Sequence, residues 1–122
     1  MVRRAAWSDR FYPAKPAVLS REVEKYLAPE PDQNKISRPI ACVAPHAAIM
    51  YSGAIAGAAY ARLEMPERFI ILCPNHTGRG TPLSIMPEGK WQMPFGDVPI
   101  DSALAAALMR KCHLLFDDAQ AH

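Results

Sequence analysis

Two histidines stand at matching places in the sequence. Ala44-Pro45-His46 closes one short apolar run, Ile40 to Ala44, and Pro74-Asn75-His76 closes another, Phe69 to Cys73. Neutral imidazole is the commonest metal ligand, and a proline before each histidine stiffens its turn. If the two runs are neighbouring strands about 4.8 Å apart, both imidazoles can reach one cation at metal–nitrogen distances of about 2.0–2.1 Å. Asn75 beside His76 is placed to orient a ligand or to support a ligating imidazole. The competing account is two loop histidines hydrogen-bonded to nearby backbone. Two ligands do not complete a site, because zinc and iron usually take at least three protein groups. No HxH, HxxxH or HExxH spacing supplies the third.

Other reactive residues have simpler readings. His113 follows Cys112 near an expected helix end, where a histidine commonly caps the dipole. Cys42 and Cys73 fall inside apolar runs and read as core, since free cysteine packs as a small hydrophobe. Thr77-Gly78-Arg79-Gly80 lacks the lysine and the following helix of a phosphate-cradling loop. Ser52 sits in Tyr-Ser-Gly rather than a GxSxG elbow, so a helix cap explains it better than a nucleophile. Asp117 and Asp118 read as a solvated turn.

The elements that would position the histidines follow from the pattern of apolar runs and prolines. Residues 1 to 15 read as an extended arm bearing Trp7, Phe11 and Tyr12. Pro16 suits the first turn of a helix to about Leu27, with Val18, Leu19, Val23, Tyr26 and Leu27 on one face. A polar loop spans 28 to 38. The runs at 40–44 and 69–73 are expected to be strands buried on both faces. Between them an alanine-rich stretch near 53–63, opened by Ser52, is expected to be helical. Strand, helix, strand is the pattern of a right-handed parallel βαβ unit, whose strand ends share the edge where open α/β sheets bind ligands. Cys42, Val43, Ile70, Ile71, Leu72 and Ile55 are the expected core. Short strands over 83–86 and 90–100, a helix from Ser102 to about Lys111 capped by Asp101, and a strand starting near Leu114 complete the expectation. The fold class is α/β, with a parallel or mixed central sheet and flanking helices, and residues 1–122 suit one compact domain or a piece of a larger one.

The chain has 122 residues, of which 50% are hydrophobic and 21% charged, a globular balance that argues against disorder. Its net charge of +2 is spread along the sequence, and no basic run exceeds Arg3-Arg4, so nucleic acid and anionic membranes are not expected partners. No apolar stretch approaches the roughly 20 residues of a membrane span. No apolar segment follows the two arginines to make a signal peptide. The three cysteines lack CxxC spacing, so a reduced, cytoplasmic protein is expected.

Taken together, several motifs carry a resemblance. Phe11-Tyr12-Pro13, Ala44-Pro45-His46-Ala47, Tyr51-Ser52-Gly53, Pro74-Asn75-His76-Thr77-Gly78, Trp91 to Pro94 with Gly96, and Asp101 occur in order. This set resembles the Memo family, also called AmmeMemoRadiSam system protein B, along the whole chain. That family looks like the catalytic subunit of class III extradiol, non-haem iron dioxygenases. The resemblance implies that His46 and His76 match two family metal ligands, with iron or copper as the metal and Tyr51 or Asn75 lining the pocket. It also implies a third ligand, a cysteine, from a C-terminal region; none of Cys42, Cys73 or Cys112 matches it. On this basis the chain is the N-terminal portion of such a protein. The sequence departs from the family pattern at Ala48 and Cys73, where glycines are expected. It departs also at Ile49, expected to be aromatic, at Met93, expected to be threonine, and at Ser8-Asp9, expected to be Ala-Gly.

Three functions are open at this point. One is a metal-binding redox or dioxygenase-like protein acting on an unknown small molecule. Another is a non-enzymatic module binding a peptide or an anion. The third is a truncated fragment without function. A half-sheet would expose a strand edge and an apolar face, favouring self-association or a partner that supplies the missing C-terminal half.

Overall fold

The computed structural model describes residues 1–28 and 39–120. In chain order its elements are β1 (Val2–Arg3), α1 (Pro16–Leu27), α2 (Ile49–Tyr60), β2 (Ser84–Ile85), β3 (Lys90–Met93), β4 (Gly96–Pro99), α3 (Ser102–Lys111) and β5 (Phe116–Asp117). The fold is α/β, with helices and both parallel and antiparallel strand pairs. The chain forms two compact units, Trp7–Ile70 and Met1–Ala6 with Ile71–His122. The polar loop read over 28–38 lies, beyond Ala28, outside the described residues.

The unit Trp7–Ile70 is a helix pair with an N-terminal turn. Pro16 occupies the first turn of α1, where its missing N–H costs nothing. Leu19 is buried and Val23 and Tyr26 half-buried, while Val18 and Leu27 lie more open than the expected face requires. The arm before α1 is not extended throughout. Trp7 and Phe11 meet edge to face at 4.9 Å, and the Asp9 amide donates to the Tyr12 carbonyl at 2.8 Å. The chain reverses there through Asp9, whose φ is +61°.

Helix α2 begins three residues before the expected Ser52 cap. Its N-cap is Ala48, which offers no side-chain oxygen. The Phe11 carbonyl instead accepts from the Ile49 amide at 2.8 Å, satisfying one of the orphan donors at the helix start. Ser52 is buried within the first turn, and its hydroxyl donates to the Ala47 carbonyl at 2.9 Å. Gly53 and Gly57 are buried on the side of α2 that meets Tyr26 of α1.

The other unit holds all the strands found among the described residues. Within the expected strand region 90–100, β3 and β4 form a hairpin, with Met93 opposite Gly96 across the Pro94-Phe95 turn. β1 adds parallel to β3, Val2 opposite Lys90 and Arg3 opposite Trp91, with the Arg3 guanidinium 4.6 Å from the Trp91 ring centre. β2 and β5 make a separate parallel pair. The connection from β2 to β5 passes through the hairpin and α3, the long crossover that parallel pairing demands. Asp101 caps α3 as the sequence predicts, its carboxylate accepting from the Leu104 amide at 2.9 Å. Met86 and Ala105 are buried here.

The expected parallel βαβ unit is not formed. Among the described residues neither 40–44 nor 69–73 is a strand. Cys42, Val43, Ile70, Ile71, Leu72 and Ile55, read as core, are all exposed. The reason is geometric: a strand apolar on both faces needs paired neighbours and cover on each face. The described residues supply neither. No helix among them is long and apolar enough to cross a membrane.

Candidate functional site

His46 lies in the loop that enters α2, two residues before the N-cap, and is exposed. This loop is fixed from two directions. The Ser52 hydroxyl holds the Ala47 carbonyl, and the Phe11 carbonyl holds the first amide of α2. Tyr51, the residue expected to line a pocket, stands in the first turn of α2 and is also exposed. His46 and Tyr51 therefore share one short stretch of the unit Trp7–Ile70.

His76 lies in the other unit, in the loop between Pro74 and Thr81, and is exposed. Asn75 organises that loop. Its Oδ1 accepts from the Thr77 amide at 3.0 Å, the Thr77 hydroxyl at 2.9 Å and the Gly78 amide at 3.1 Å. Its Nδ2 donates to the Arg79 carbonyl at 2.7 Å. Both ends of the Asn75 amide are thus used on backbone or on Thr77, which makes it the keeper of the loop beside His76. Gly78 and Gly80 take φ of +65° and +75°, a region glycine enters without strain.

Asp118 also shapes this loop. The acidic pair reads as a solvated turn, yet Asp117 belongs to β5 and the Asp118 carboxylate accepts from the Thr81 amide at 2.9 Å. The bond spans 37 positions and ties down the far end of the His76 loop. Nothing in the sequence pattern marks it, since the contact depends on the β2–β5 pairing. His113 is exposed beyond the C-terminus of α3, and Cys112 is the C-cap. Within neither unit do the described residues gather three or more histidine, cysteine, aspartate or glutamate side chains around one point.

The unit Trp7–Ile70 also contains a cleft of about 250 Å³, lined by Arg10, Phe11, Tyr12, Glu22, Ile49 and Met50 among others. Its walls are the turn at Asp9 and the start of α2. His46 and Tyr51 are not part of its lining.

The structure therefore defines an α/β protein with two histidine-bearing loops, each shaped by its own local hydrogen bonds. The Memo-like protein family matches residues 3–122, and the chain belongs to that family. A MEMO1 family protein of Methanothermobacter thermautotrophicus is 40% identical, aligned with 100% of this chain and 47% of its own length. One from Methanopyrus kandleri is 39% identical with the same coverage. One from Pyrococcus furiosus is 34% identical over 100% of this chain and 42% of its own length. The chain spans about half the length of the curated relatives it matches.

Proposed function

We propose that this chain carries two ligands, His46 and His76, of a Memo-like non-haem iron or copper site with redox or dioxygenase-like activity. The observation behind this reading is the repeated placement of Pro-His and Pro-Asn-His at the ends of two apolar runs, in a chain of the Memo family. Imidazole is a donor that suits iron and copper alike, so the residue types fit the metal. The set falls short in number, and a third donor must join these two. A bound ion of this kind supplies redox chemistry and open coordination positions for a substrate. The chain's own contribution is to fix two loops: Ser52 and the Phe11 carbonyl brace the His46 loop, Asn75 and Asp118 the His76 loop. The three cysteines are exposed and free of disulfides, which suits a reduced, cytoplasmic setting.

Anaerobic calorimetric titration of the metal-free chain with Fe(II), Cu(II) and Zn(II) tests the assignment. Weak binding is expected, lost in both His46→Ala and His76→Ala and kept in His113→Ala. Unchanged affinity in the two single variants would remove these residues from the site.

A second reading is supported by the cleft beside α2. Its mixture of aromatic and aliphatic walls with Arg10 and Glu22 at hand suits a peptide side chain better than a metal. Peptide binding that persists in excess chelator, and falls in Arg10→Ala, would favour this non-enzymatic role.

A further inference from the structure

The cleft at the start of α2 has charges of both signs on its walls. Arg10 and Glu22 line it, together with the apolar side chains of Phe11, Ile49 and Met50. Among the described residues neither the Arg10 guanidinium nor the Glu22 carboxylate has an ion-pair or hydrogen-bond partner, nor do the two pair with each other. Asp9 differs, since its carboxylate is engaged by the Ala14 amide at 2.8 Å. Glu22 is half-buried on α1, where water screens a charge pair less than at the open surface.

Size and charge together restrict the occupant. Sites for drug-sized ligands run to about 300–1,000 Å³, so about 250 Å³ suits a molecule no larger than one amino acid. An apolar group alone fills the wall and leaves both charges without partners. A simple anion answers Arg10 and not Glu22, and a simple cation the reverse. We propose that this cleft binds a free α-amino acid with an aromatic side chain. Arg10 takes the carboxylate, for which its planar fork is suited, and Glu22 accepts from the ammonium. The ring packs against Phe11, Ile49 and Met50, whose thioether favours an aromatic neighbour. The inference rests on the second reading above in taking the cleft as a binding site, and narrows the occupant to a ligand with both charges of its own. It is independent of the metal, so it is tested with chelator present.

The test is a titration of the 122-residue chain with L-phenylalanine, followed by amide chemical shifts in NMR. Saturable shifts at Arg10, Phe11, Ile49 and Met50 are expected, with a dissociation constant on the order of millimolar for so small a ligand. N-acetyl-L-phenylalanine lacks the ammonium and L-phenylalaninamide lacks the carboxylate. Each should bind about fivefold more weakly, the upper range for a solvent-open ion pair. Two variants then separate the ends. Glu22→Gln should close the gap between phenylalanine and its acetylated form, and Arg10→Gln the gap between phenylalanine and its amide. A merely structural role weakens all three ligands together and leaves their ratios unchanged. Equal affinity of the unaltered chain for the three ligands, or ratios that persist in both variants, would overturn the proposal. So would a capped acetyl-Gly-Phe-Gly-amide that binds as tightly as phenylalanine, which leaves the cleft a peptide site. No saturable shift with any of these ligands removes the cleft as a binding site altogether.

Discussion

A Cβ placed on Gly57 would overlap the Tyr26 carbonyl, so α2 and α1 meet backbone against backbone at that point. Two effects oppose each other when Gly57 becomes alanine. Helix propensity favours alanine by about 1 kcal/mol. The added methyl must push apart two main chains, and overpacking of this kind costs about 1–3 kcal/mol. Because a carbonyl cannot rotate away as a side chain can, the clash wins. Gly57→Ala should lower the urea midpoint of the chain. Gly53→Ala should cost less, since the atoms its Cβ would meet, the Tyr26 ring at 2.6 Å and Ile49 at 2.9 Å, belong to side chains rather than main chain. Equal or raised midpoints for Gly57→Ala would mean that the two helices separate without loss.

Asp9 occupies the left-handed region, a conformation in which glycine carries no steric penalty. Its carboxylate accepts from the Ala14 amide at 2.8 Å, an interaction glycine lacks. Asp9→Gly exchanges that bond for relief of a left-handed penalty of about 1–2 kcal/mol and should be close to neutral. Asp9→Ala keeps the penalty and loses the bond, so it should destabilise by about 1 kcal/mol. Asn at this position should behave like aspartate. Denaturation midpoints of the three variants separate the contributions; a harmless alanine would show that the turn is not held by this contact.

Asp101 offers a simpler measurement. Its carboxylate holds the Leu104 amide at the start of α3, and loss of such a cap costs about 0.5–2 kcal/mol. Asp101→Ala should lower stability within that range, and Asp101→Ser should recover most of it. Failure of serine to rescue would point to another role for the carboxylate.

The local elements were legible because local rules decide them. Pro16 and Asp101 mark helix starts through the geometry of one turn, and Pro94-Phe95-Gly96 sets the hairpin register within four residues. Ser52 misled because the donor at the start of α2 is satisfied by the distant Phe11 carbonyl, a tertiary choice with no sequence mark. The larger miss concerns 40–44 and 69–73. Their composition reports how much cover a strand needs, not whether the described residues provide it. Ile71 shows the consequence: truncation of a buried isoleucine costs about 2–5 kcal/mol, but Ile71 is 65% exposed. Ile71→Ala in this chain alone should therefore change stability by less than about 0.5 kcal/mol. The histidines were legible as a pair of motifs. Asn75 and Asp118, which hold the loop around one of them, were legible only in part, since the reach from Asp118 to Thr81 depends on β5 lying beside β2.

That loop yields the most discriminating prediction. Asn75 accepts from the amides of Thr77 and Gly78 and donates to the Arg79 carbonyl, so its two ends can be tested apart. Asn75→Ala removes every one of these bonds. With each worth about 1 kcal/mol, the Thr77 and Gly78 amides should exchange with solvent about fivefold faster. Asn75→Asp keeps the accepting oxygen and loses only the donor, so both amides should stay protected while the Arg79 end loosens. Asp118→Ala acts at the other end, freeing the Thr81 amide and leaving Thr77 and Gly78 unchanged. Hydrogen exchange read residue by residue distinguishes these patterns. If the alanine at Asn75 leaves the exchange of Thr77 and Gly78 as it was, the glycines at 78 and 80 hold the loop by conformation alone, and Asn75 has no part in presenting His76.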